Sequence, residues 1–73
     1  MHIGRLIQQK VSENGMTVVA FARKLSCTRV NAYKLFARSS IDTETLMRIS
    51  LILDFDFFKE LSEHLKSASF HEI

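Results

Sequence analysis

Seventy-three residues with a net charge of +2, two glycines and no proline make one domain near the lower size limit for independent folding. An apolar content of 47% excludes a disordered tail and predicts a compact, largely helical bundle. No apolar run approaches the length of a membrane span. The opening MHIGRLIQQK has no secretory signal, and the lone Cys27 cannot close an internal disulfide, so a reducing, cytoplasmic setting is expected.

Ile3, Leu6, Ile7 and Val11 fall on one side of a first helix, and Gly15 after Glu13-Asn14 is a left-handed stop. Thr17 caps a second helix whose stripe is Val18, Phe21, Ala22 and Leu25. A turn through Ser26 and Cys27 leads to Thr28, the cap of a third helix, at 29–37. Ser39-Ser40 interrupts the pattern. Asp42 then caps a fourth helix at 43–53, with Ile41 and Leu46 placed as a hydrophobic staple and Leu46, Ile49 and Leu53 turned inward. Asp56 caps a fifth helix at 57–66, where Phe57, Leu61 and Leu65 are expected to pack on the core. These elements predict an all-α, five-helix domain over residues 1–66, with 67–73 as a frayed tail.

The net charge conceals a split. Residues 1–40 carry seven Lys/Arg against Glu13 alone, a net +6, and residues 41–73 carry three against seven acids, a net −4. A chain segregated in this way presents a cationic face to a polyanion. The third helix carries that face furthest. At about 100° per residue, Ala32, Leu35 and Phe36 cluster on one side. Val30, Lys34 and Ala37 point the other way, flanked by Asn31, Tyr33 and Arg38, with no acid between Glu13 and Asp42. Arg29 and Lys34 suit guanine edges, Asn31 suits adenine and Val30 a thymine methyl, so these four are the expected base contacts. Thr17, Thr28, Tyr33 and Arg38 are the expected phosphate contacts.

By Phe21-Ala22-Arg23-Lys24-Leu25 and Thr28 through Phe36, the chain resembles the phage-repressor and Cro-like (Xre-type) helix-turn-helix family. The resemblance covers Ile3 to Leu61. It implies a lambda-repressor-like fold with helices two and three as the helix-turn-helix, and helix three in the major groove of double-stranded DNA. It further implies a small transcriptional regulator, a repressor of phage or mobile-element type in the bacterial cytoplasm or nucleoid, with helix five near a dimer contact. Two positions depart from the family pattern. Val18 stands where members commonly have a phosphate-binding glutamine, and Ser26 where they commonly have glycine. A left-handed backbone at Ser26 would cost on the order of 1–2 kcal/mol.

Leu51, Phe55 and Phe58 are apolar groups surplus to this core and form an expected homodimer surface, suited to an inverted repeat. No enzyme is expected, since nucleophile elbows and glycine-rich phosphate loops are absent from the sequence. Cys27, His2, His64 and His71 lack zinc-binding spacing, so neither metal, cofactor nor small-molecule substrate is expected. Two alternatives keep the same fold. One is a protein-interaction module, an antirepressor or adaptor that no longer reads DNA; the other is the antitoxin of a toxin–antitoxin pair.

Overall fold

A computed structural model describes residues 1–68 of the chain. Within them lie five α-helices, α1 (Ile3–Glu13), α2 (Val18–Lys24), α3 (Arg29–Phe36), α4 (Thr43–Leu53) and α5 (Phe57–Ala68), and no strand. The fold is therefore all-α. Ser67 and Ala68, expected in the tail, complete α5; Phe70 and His71 lie outside the described residues.

The caps follow the chemistry of their side chains. Thr17, Thr28 and Asp42 each accept a bond from the backbone N–H three residues on, at 3.0, 3.1 and 2.9 Å. Asp56 does the same for the Lys59 N–H at 3.0 Å. A fifth cap has no hydroxyl or carboxylate: the His2 imidazole Nδ1 accepts from the Arg5 N–H at 3.1 Å.

α1 and α2 end in the same way. The N–H of Gly15 bonds the Ser12 carbonyl and that of Met16 bonds the Val11 carbonyl, with Gly15 at φ 67°. In α2 the equivalent bonds run from Ser26 to Arg23 and from Cys27 to Ala22, with Ser26 at φ 61°. Both are Schellman motifs, in which the residue after the helix must turn left-handed to satisfy the last carbonyls. Ser26 therefore takes the conformation that glycine would hold without strain.

One core unites the first four helices and the first residue of the fifth. It contains Ile3, Ile7 and Val11 from α1, Phe21 and Ala22 from α2, Leu25, Ala32 and Phe36, then Leu46, Ile49 and Leu53 from α4, and Phe57. Phe21 and Phe36 stack at 5.7 Å between ring centres, which locks α2 to α3. α5 departs from the expected packing. Phe57 is fully buried, but Leu61 and Leu65 are 36% and 48% exposed. Only the start of α5 is buried by the bundle; Leu61 keeps a partial contact beside Met1, Ile41 and Leu46, and the stripe beyond it is exposed. The molecule is accordingly elongated, at 43 × 20 × 20 Å.

Candidate nucleic-acid interface

α3 is positioned at both ends. At its start, four residues (Leu25, Ser26, Cys27 and Thr28) separate it from α2, and half-buried Cys27 seals that turn against the core. A nitrogen of the Arg48 guanidinium, reaching across from α4, donates to the Leu25 carbonyl at 2.9 Å and pins the same turn. At the far end, the chain leaving α3 caps α1. The N–H groups of Ile3 and Gly4 donate to the carbonyls of Ser39 and Arg38 at 3.2 and 2.9 Å. Gly4 permits this approach: a Cβ there would lie 2.4–2.6 Å from the carbonyl oxygens of Phe36, Arg38 and Leu35.

Held this way, α3 buries Ala32 and Phe36, half-buries Leu35, and exposes Arg29, Val30, Asn31, Tyr33 and Lys34. All four expected base-contact residues are thus on the surface of one helix, and Val30 is 62% exposed. Tyr33 is steadied by an edge-on contact with Phe36, 5.9 Å between ring centres. Among the described residues, no ion pair engages Arg29, Lys34 or Arg38. Arg38 is nonetheless close enough to Asp42 to help hold that carboxylate below its usual pKa, after the stronger effects of the Thr45 N–H and hydroxyl. Thr17 and Thr28 use their oxygens as cap acceptors, which leaves each hydroxyl hydrogen free to donate outward. Val18 is half-buried against the core and its side chain offers no donor.

The cationic half of the sequence is not a single surface. The Lys10 ammonium pairs with Glu13 at 3.4 Å and lies 4.4 Å from the centre of the Phe55 ring. Arg5, Arg23 and Lys24 are exposed. Arg5 follows Gly4, whose N–H bonds the Arg38 carbonyl, so it stands beside the end of α3. Neither the Arg48 bridge nor the Gly4 approach leaves a periodic signal in the sequence, because both join segments far apart along the chain.

The three residues expected on a dimer surface have different surroundings. Leu51 is 81% exposed. Phe55 is half-buried, edge-on to Phe57 at 4.8 Å, and shares an open depression with Leu51. Phe58 packs against the core and lines no part of that depression. Other exposed apolar groups are Met47 on α4 and Leu61 and Leu65 on α5. Leu61 lies beside Met1, Ile41 and Leu46 at the opposite end of α4 from Leu51.

Among the described residues, no three His, Cys, Asp or Glu side chains gather where they could hold a metal ion, and no helix is long and apolar enough to cross a membrane. No protein-family model matches the chain, and neither a curated protein nor a solved structure matches it.

Proposed function

We propose that the chain is a helix-turn-helix protein of the phage-repressor and Cro-like type, with α2 and α3 as the motif and α3 as the reading helix. Arg29, Val30, Asn31 and Lys34 contact base edges, while Thr17, Thr28, Tyr33 and Arg38 hold phosphates. The observation that carries the reading is the outer face of α3. Its donors are exposed and its cations have no ion-pair partner among the described residues. No acid stands between Glu13 and Asp42 to repel a phosphate. The protein acts as a small repressor, occupying an operator and excluding polymerase by its bulk. Two copies bind an inverted repeat and pair only when on the duplex, along the exposed stripe of α5, so that two reading helices reach its successive turns.

The experiment is selection of bound sequences from a random duplex pool at two salt concentrations. The wild-type chain is expected to enrich a palindrome. The double variant Arg29→Ala/Lys34→Ala is expected to keep the fold and enrich none. Site-specific binding retained in full by that variant would sink the assignment of the reading helix.

A second reading, an interaction module that keeps the fold without reading DNA, draws on Val18, which cannot donate to a phosphate, and on the exposed leucines of α4 and α5. It predicts an unenriched pool from the wild-type chain.

A further inference from the structure

The outer side of α4 carries an apolar site for which DNA reading has no use. Leu51 stands 81% exposed with Met47, also exposed, one turn before it, while Leu46, Ile49 and Leu53 of the same helix are buried. Beyond Leu53 the chain turns through Asp54 at φ 50°, and the Phe55 N–H folds back onto the Ser50 carbonyl at 3.0 Å. An open depression of about 400 Å³ results, lined by Ser50, Leu51, Asp54, Phe55 and Asp56. Its lining residues include two carboxylates and no cation; the nearby Lys10 ammonium, 4.4 Å from the centre of the Phe55 ring, is paired with Glu13. The Ser50 hydroxyl is already donated to the Leu46 carbonyl at 2.8 Å. Asp56 accepts one backbone bond, and both carboxylates retain free lone pairs.

Charge selects the occupant. Like-to-like pairing across a two-fold axis would set Asp54 and Asp56 against the same acids. The complementary surface, one apolar side chain between cations, lies elsewhere on the same chain: Val30, 62% exposed, flanked along α3 by Arg29 and Lys34. We propose that, without DNA, the Leu51 depression of one copy receives Val30 of a second copy, with Asp54 and Asp56 facing Arg29 and Lys34. The contact goes beyond DNA reading and does not depend on it, although both use the outer face of α3. It is heterologous and does not close, so copies add in a chain rather than stopping at a pair. One apolar insertion with two exposed charge pairs is far smaller than the roughly 1,200 Å² of a stable interface. The association is therefore weak and sensitive to salt. A DNA-free copy has its reading helix capped by its neighbour, and any polyanion that binds α3 competes for the same face.

The test is sedimentation equilibrium of the full chain without DNA, at low ionic strength and at about 1 M salt, where screening acts over about 3 Å. Apparent mass is expected to climb past that of a dimer with concentration at low salt, and to lose that excess at high salt. Leu51→Lys, at an exposed position, should weaken the association roughly tenfold or more. A mixing experiment gives the decisive arm. Leu51→Lys keeps the α3 face and loses the depression; Arg29→Glu/Lys34→Glu keeps the depression and loses the face. Neither should form chains alone, and their mixture should form a one-to-one heterodimer. Absence of that heterodimer, a mass indifferent to salt, or concentration-dependent NMR shifts confined to Leu61 and Leu65 would each overturn the proposal. The duplex-pool selection is read on separate samples, so failure of either idea leaves the other interpretable.

Discussion

Ser26 is held at φ 61° because α2 ends in a Schellman motif, and no side-chain interaction relieves the resulting Cβ strain. Ser26→Gly should therefore stabilise the chain by about 1 kcal/mol, raising the thermal midpoint by about 4–8 °C for a domain of this size. Gly4 presents the opposite case. A methyl group at this position meets three carbonyl oxygens at 2.4–2.6 Å, and backbone atoms cannot rotate away as a side-chain tip can. Gly4→Ala should cost at least about 3 kcal/mol, a large share of the roughly 4–11 kcal/mol available to such a chain. Chemical denaturation of the two variants beside the wild type measures both effects. Composition shows two glycines but not that one is indispensable for close approach. That distinction rests on contacts between residue 4 and residues 35–38, which no local pattern encodes.

The helices were legible because each is an amphipathic stripe begun by a capping side chain. Thr17, Thr28, Asp42 and Asp56 all cap as their chemistry dictates. Asp42 makes its cap measurable. The Thr45 N–H and hydroxyl donate to its Oδ2 at 2.9 and 2.8 Å and, with Arg38 adding less, hold its pKa below 3.8. A carboxyl depressed in the folded state contributes stability that is present above its unfolded pKa and lost as pH falls through the folded one. Unfolding midpoints below pH 3.8 should thus fall less steeply in Asp42→Asn than in the wild type. An equal slope in the two proteins would show that the carboxylate contributes nothing there. α5 was legible as a helix but not in its packing. Leu61 and Leu65 follow Phe57 at core spacing, yet the bundle covers only the helix start. Periodicity identifies an apolar stripe and cannot say whether another element lies over it.

For the whole molecule, the available charge differs from the sequence count. Lys10 is occupied by Glu13 and the Phe55 ring, which leaves Arg5, Arg23, Lys24, Arg29, Lys34 and Arg38 exposed. If each copy neutralises about three to four phosphates, log K for DNA should fall with log salt at a slope of about −3 per subunit. Arg38→Ala, which removes the charged member of the phosphate set, should reduce that slope by about one, whereas Lys10→Ala should leave it unchanged. Binding titrations across a salt series read both variants. An identical change in the two would mean that the cations act through net charge alone and not through a defined face.

Caps, turns and core stripes are local, set by hydrogen bonds three residues apart and by helical spacing, so the order and inward faces of the first four helices could be read directly from the chain. So could the acid-free outer side of the third. Residues distant in sequence met only in the folded molecule. Arg48 closes on the turn before α3, Gly4 admits the carbonyls behind it, and Lys10 is drawn from the cationic set by Phe55. Folding also decided which apolar groups of α5 remain uncovered, leaving Leu61 and Leu65 at the surface and drawing Phe58 against the core. Burial depends on what packs across from a side chain, and periodicity carries no record of that partner.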